Sequence, residues 1–293
     1  MTGSTVPAMS TALLFPGQGS QTAGMRESVA EHEPELLELV LGQVGADPFA
    51  LAGEGTAYAQ PAILCASLAA WSGAGRPLAE YFAGHSLGEL SALAAAGAID
   101  PADAVRLAAV RGRLMQAAGE AAPGGMLALL GDAAEARDAA AASGAVVAND
   151  NGPAQLVAAG PPAVLDATAR EAKARGVRTI RLAVGGAFHT PAMQAAVEPY
   201  RAELERVAFG PPAAPVVSSS TAEPFGTDAA GIRDQLAAAL VRPVRWRETV
   251  DQLHGLGVRS FVETGPGKAL TGMVRRSLEG VETSVLGRAS VRG

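Results

Sequence analysis

Tyr81-Phe82-Ala83-Gly84-His85-Ser86-Leu87-Gly88-Glu89 is the stretch on which the fold reading turns. The apolar Tyr81 to Ala83 reads as the end of a strand. Leu87 to Ala96 reads as a helix that Gly97 closes from just beyond its end. Between them Ser86 sits in Gly-x-Ser-x-Gly, where two glycines permit a tight strand-to-helix turn that lifts the serine hydroxyl above the sheet. The first N–H groups of the helix then point at whatever that hydroxyl attacks. In a chain with 35 glycines the five-residue pattern can arise by accident. The strand before it and the helix after it are the context that makes Ser86 a candidate nucleophile.

Working outward, Thr11 to Phe15 reads as a buried strand running into the Gly-rich loop Pro16-Gly17-Gln18-Gly19-Ser20-Gln21. Such loops present backbone N–H groups, but the glycine spacing fits no dinucleotide or phosphate fingerprint. Residues 26–45 read as one helix, and Pro61 to Trp71 as a second, largely buried one. Asp100-Pro101 opens a third with an N-cap aspartate and a proline at the first helical position. On that helix Leu107, Arg111, Leu114 and Met115 share an apolar face, while Arg106 and Arg113 fall elsewhere. A snorkelling or ion-paired arginine is the commoner explanation of such a cation. The functional alternative is a guanidinium awaiting a carboxylate, which its fork matches with two hydrogen bonds.

From 125 to 183 the pattern becomes strand, helix, strand, strand, helix, strand, the ferredoxin-like order. The chain is therefore expected to be α/β, a large α/β-hydrolase-like domain (1–124 and 184–293) carrying an inserted ferredoxin-like subdomain (125–183). After the insert comes Gly185-Gly186-Ala187-Phe188-His189-Thr190-Pro191, a loop leading into a helix. His32 stands among glutamates, His254 at a helix end, and His85 beside the serine but on the other side of the turn. His189 is left by elimination as the general base.

Composition narrows the function. At 293 residues, 48% apolar and 18% charged, the chain can bury a large core, and only 4% of it is aromatic. A net charge of −6 argues against nucleic-acid binding. Cys65, the single cysteine, lies in an apolar run and reads as a core residue, which excludes an intrachain disulfide and fits a reducing compartment. Met1 to Ser10 lacks the pattern of a signal peptide, and no apolar run approaches the ~20 residues of a membrane helix. No Cys/His/Asp/Glu cluster has metal-ligand spacing. A soluble cytoplasmic protein with no metal, no bound cofactor and no membrane or nucleic-acid partner is expected, as a monomer.

Several motifs, in order along the chain, resemble the malonyl-CoA:acyl-carrier-protein transacylase family, which includes the acyltransferases of fatty-acid and polyketide synthases. They are Phe15-Pro-Gly-Gln-Gly-Ser-Gln21, Gln60-Pro-Ala62, Gly84-His-Ser-Leu-Gly-Glu89, Arg111-Gly-Arg-Leu-Met-Gln116, Ala187-Phe-His-Thr190, Pro243-Val-Arg-Trp246 and Glu263-Thr-Gly-Pro-Gly-Lys268. The resemblance implies an acyl-serine on Ser86 formed with His189 as base, and an oxyanion held by the N–H groups of Gln18 and Leu87. It implies that Arg111 clamps the malonyl carboxylate, reversing the structural reading of that residue. Coenzyme A thioester and the phosphopantetheine of an acyl carrier protein would be the substrates. Phe188, with Met115 and His85, would shape the acyl site, Phe188 leaving less room for an α-methyl group.

The match has departures. Ala239 stands where the family usually has Asn or Gln, whose backbone carbonyl orients the histidine; a carbonyl survives this change. Gly185 replaces a common serine, and the stretch before Gln60 is short. Two alternatives stay open at this point: transfer of a non-malonyl acyl group, including between carrier proteins, and hydrolysis of acyl thioesters. The cluster Arg170, Lys173, Arg175, Arg178 and Arg181 on the insert is a candidate docking face for an acidic carrier.

Overall fold

The computed structural model describes residues 10–286 and the backbone of 291–292; the opening residues 1–9 lie outside the description. In chain order the strands are β1 (Ser10–Phe15), β2 (Tyr81–Gly84), β3 (Gly125–Leu130), β4 (Val146–Gly152), β5 (Gln155–Gly160), β6 (Arg178–Arg181), β7 (Val216–Val217), β8 (Val258–Glu263), β9 (Glu282–Val285) and β10 (Val291–Arg292). They form two sheets. The larger has the order β10-β9-β8-β1-β2-β7, parallel throughout except for the β9–β10 pair.

The period-two rule explains its burial on both sides. Leu13, Phe15 and Phe82 face one apolar cluster, Ala12, Leu14 and Ala83 the other, as expected for a parallel sheet covered by helices on each face. The helix Thr56–Gly73 lies between Met25–His32 and Pro101–Ala121 and is buried along most of its length. Two helical expectations need correction. Residues 26–45 are two helices, Met25–His32 and Pro34–Val44, because Pro34 lacks an N–H and keeps Glu33 out of helical geometry (φ −143°, ψ 59°). The second helix starts at Thr56 rather than Pro61, and carries that proline inside its second turn.

The smaller sheet has the order β4-β5-β3-β6 with every neighbouring pair antiparallel, the ferredoxin-like arrangement. Leu127, Leu129, Leu156 and Ala158 pack on the helices Ala133–Ser143 and Pro162–Ala174. The opposite face, with Met126, Val157 and Ala159, joins the core of the larger unit. The small sheet thus turns one face to its own helices and the other to the core of the larger unit.

Its edge strand β4 is tied to the body. Asn149 bridges to Val244; Asp150 N–H donates to the Val244 carbonyl, and Val244 N–H to the Ala148 carbonyl, both at 2.8 Å. The buried Asp150 carboxylate pairs with Arg137 of the small unit at 2.9 Å and Arg247 of the body at 2.6 Å.

Candidate active site

The C-terminal edges of β1 and β2 build the site. Beyond β2 the chain turns into the helix Gly88–Ala95 through Ser86, which adopts φ +54°. A non-glycine residue pays roughly 1–2 kcal/mol for that left-handed conformation. The flanking glycines serve a different need: a Cβ on Gly84 would lie 1.9 Å from the Gly88 carbonyl carbon, and one on Gly88 2.0 Å from the Phe15 carbonyl oxygen. Strand, turn and helix are pressed together at backbone contact, and the serine absorbs the dihedral strain.

Ser86 Oγ lies 2.7 Å from His189 Nε2, though 103 residues separate them. His189 also has a positive φ, +59°. Its Nδ1–H points at two carbonyls, Ala239 at 3.0 Å and Arg242 at 3.2 Å. That fixes the tautomer: the proton sits on Nδ1 and the Nε2 lone pair faces the serine hydroxyl. Burial first, then the charge of Arg111, pull the imidazole from its ordinary 6.5 down to about 3, so it is neutral and ready to take a proton.

Arg111 is 4% exposed, and burial lowers its pKa. Its Nη1 donates to Gln60 Oε1 at 2.7 Å and its Nη2 to Ser86 Oγ at 3.2 Å. A relay fixes the guanidinium: Gln60 Nε2 donates to Thr56 Oγ1, and Thr56 Oγ1 to Gln18 Oε1, each at 2.8 Å. Among the described residues no carboxylate reaches ion-pair distance of Arg111. A buried cation without an anion is costly, so an anionic ligand is its natural complement.

The cleft around Ser86 is about 90 Å³, room for a handful of heavy atoms and not a long chain. Gln18, Leu87, Arg111, Met115, Phe188 and His189 line it from the body; Met126, Asn149, Leu182 and Val184 close it from the small unit and its exit. Among the described residues, the Gln18 and Leu87 backbone N–H groups have no protein acceptor, which leaves them available to an oxyanion.

His85 departs from the expected acyl-shaping role. It is not among the cleft-lining residues; its Nε2 pairs with Asn151 Oδ1 at 2.9 Å, and its ring lies 5.4 Å from that of Trp246. Cys65 is buried, and burial pushes its thiol pKa up, so it is chemically quiet.

Three features escaped the sequence reading. Thr56 and Gln60 position Arg111, although only the Gln60-Pro-Ala62 motif pointed there. Asn149 lines the cleft with a buried Oδ1 that has no partner among the described residues, which suits a donor on an incoming molecule. Glu89 is 2% exposed and accepts three hydrogen bonds from Ser218 and Ser219, where only the spacing Ser86-x-x-Glu89 offered a signal. Among the described residues no helix is long and apolar enough to cross a membrane, and no group of three His, Cys, Asp or Glu could hold a metal.

Comparison with known proteins identifies the family. Residues 52–290 match the family model described as acyl transferase domain. A malonyl CoA-acyl carrier protein transacylase of Salmonella typhimurium is 38% identical, over 94% of this chain and 95% of that protein. The solved malonyl CoA-acyl carrier protein transacylase of Coxiella burnetii superposes with a TM-score of 0.86 at 33% identity, covering 95% of this chain and 94% of that one. An acyl carrier protein S-malonyltransferase from Vibrio cholerae gives 0.85 at 33% identity, covering 96% and 97%.

Proposed function

The chain belongs to the acyl transferase family, and on that premise we propose a residue-by-residue course for its reaction. The reaction is malonyl transfer from coenzyme A to an acyl carrier protein. His189 Nε2 removes the Ser86 proton as Oγ adds to the thioester carbonyl. The N–H groups of Gln18 and Leu87 receive the oxyanion; loss of one such donor typically costs about 3 kcal/mol of barrier. Collapse breaks the C–S bond, the imidazolium returns its proton to the coenzyme A thiolate, and coenzyme A leaves a malonyl-serine. The phosphopantetheine thiol then enters, gives its proton to His189, and attacks the ester; Ser86 leaves and regains the proton. Coenzyme A thioester and phosphopantetheine are substrates in this course.

The observation that carries the malonyl assignment is Arg111, a buried guanidinium 3.2 Å from the nucleophile that no carboxylate among the described residues meets at ion-pair distance. The malonyl carboxylate would supply that partner, and Phe188 with Met115 would bound the acyl group. The cytoplasmic setting, the monomeric state and the division into a 1–124/184–293 body and a 125–183 lid belong to the same proposal. The carrier would dock on the lid's exposed cations. Arg175 is already paired with Glu135, and Arg181 with Asp166, which leaves Arg170, Lys173 and Arg178.

Intact-protein mass spectrometry over a panel of acyl-CoAs, with and without carrier protein, tests the whole course. Malonyl-CoA should add one malonyl mass, lost in Ser86→Ala and discharged quickly only when carrier is present. Equally rapid discharge in buffer would make the protein a hydrolase, and preferential loading by an acyl group without a carboxylate would remove the Arg111 role. With Arg170→Glu/Lys173→Glu, loading should be unchanged and the carrier KM should rise about fivefold. An unchanged carrier KM would remove the docking face.

A further inference from the structure

Ser86 and Glu89 stand at the spacing of a capping box, in which a serine hydroxyl bonds the N–H three residues on and the glutamate reaches back to the serine N–H. Neither half of that exchange occurs here. The Ser86 hydroxyl is spent on His189, and the Ser86 N–H donates instead to Ser219 Oγ at 3.2 Å. Ser219 Oγ–H in turn donates to Glu89 Oε1 at 3.1 Å. The same oxygen accepts from Ser219 N–H at 2.6 Å and Ser218 Oγ–H at 2.9 Å. Glu89 and Ser219 are almost fully buried, 2% and 1% exposed.

We propose that Glu89 and Ser219 form a relayed cap on the nucleophile turn, positioning residues that hold the Ser86 backbone in its left-handed conformation while leaving its hydroxyl free for chemistry. The physical requirement is plain. A nucleophile that capped its own helix would have its oxygen directed at the Glu89 N–H rather than at an imidazole. Inserting one hydroxyl between the glutamate and the serine N–H satisfies the backbone donor by another route. Because three donors fix Oε1, Ser219 Oγ has its own proton committed and its lone pair directed at the Ser86 N–H. Ser219 follows β7, so the cap also locks the end of that strand to the nucleophile turn.

This inference rests on Ser86 being the nucleophile, and its test separates the two. A fluorophosphonate reagent, which esterifies an activated serine with loss of fluoride, reports Ser86 reactivity without requiring malonyl recognition. Hydrogen exchange at the Ser86 amide reports the cap without requiring reactivity. Ser219→Ala should slow labelling about tenfold, raise Ser86 amide exchange, and leave the KM for malonyl-CoA within twofold, since Arg111 is untouched. Glu89→Ala should do at least as much, and Glu89→Gln, which keeps an acceptor oxygen, should stay within about threefold of the unmodified protein. Leu165→Ala, which thins the separate core under the small sheet, controls for lost stability: it should lower Tm without slowing labelling. Unchanged Ser86 amide exchange in Ser219→Ala would overturn the cap, as would Glu89→Gln as impaired as Glu89→Ala. If the unmodified protein is not labelled at Ser86, the nucleophile assignment fails, and the proposed role fails with it even where amide exchange reveals the hydrogen bond.

Discussion

The turn at 84–89 and the loop at 185–191 each carry one member of the proposed dyad in a left-handed conformation, Ser86 at φ +54° and His189 at φ +59°. They hold that strain by different means. Around Ser86 the bond from its N–H to Ser219 Oγ is joined by contact between main chains, with Gly84 and Gly88 pressed so closely that neither has room for a methyl group. Around His189 it is hydrogen bonding. The imidazole Nδ1–H meets the Ala239 and Arg242 carbonyls, while Thr190 Oγ1 donates to the Ala187 carbonyl at 2.7 Å and accepts from Ala192 N–H at 3.2 Å. A nucleophile set by contact tolerates no added volume; a base set by hydrogen bonds tolerates volume but not lost partners.

The largest test of that contrast compares two glycines. Gly88→Ala should lower unfolding stability by about 3 kcal/mol or more, because backbone must part to admit the Cβ. Gly185→Ser enters space with nothing within 4 Å and should stay within about 0.5 kcal/mol. Denaturant midpoints of the two variants read this directly, and similar losses would break the distinction.

A second test uses pH. The unliganded imidazole is held near 3 by burial and by Arg111, so kcat/KM should show no His189 acid limb between pH 7 and roughly 4. A substrate carboxylate on Arg111 offsets that charge, so the limb in kcat should lie at higher pH by about a unit. Coincident limbs would mean that the two groups do not share a site. Stability carries the same linkage. An unfolded histidine takes its proton near 6.5 and the folded one near 3, so this contribution is complete above 6.5 and declines as pH falls from 6.5 toward 3. The smallest effect is Thr190→Val, which removes both hydroxyl bonds of the loop. It should cost about 1 kcal/mol and lower kcat a few-fold, read by Tm and steady-state rates. No change in kcat would show that the two carbonyls suffice to hold the ring.

The same contrast explains what could be read along the chain. The Ser86 turn is local: strand, glycines, serine and helix are contiguous, so β2 and its helix were legible. The strand and helix order of the small unit was legible too, since each of its elements has its own period. Arg111 stood out as a cation on an apolar stripe. The imidazole's acceptors lie some 50 positions away, carbonyls that any residue possesses; family resemblance pointed to Ala239, and nothing pointed to Arg242. Ser219 and Thr56 were invisible for the same reason: a short hydroxyl has no pattern until folding brings its partner. The four-residue β9, Glu-Thr-Ser-Val, is too short and polar for its alternation to declare a strand. The break at Glu33–Pro34 needed no tertiary information and was marked by the proline alone.

Residues 239–247 have two employers. At one end their carbonyls steady the imidazole; a few positions on, Val244 and Arg247 grip the edge of the small sheet. Any swing of that sheet large enough to strip it from Val244 pulls on the strip that aims the base. One short stretch thus answers to both neighbours, and a substitution that frees the small sheet from Val244 should be felt at the imidazole.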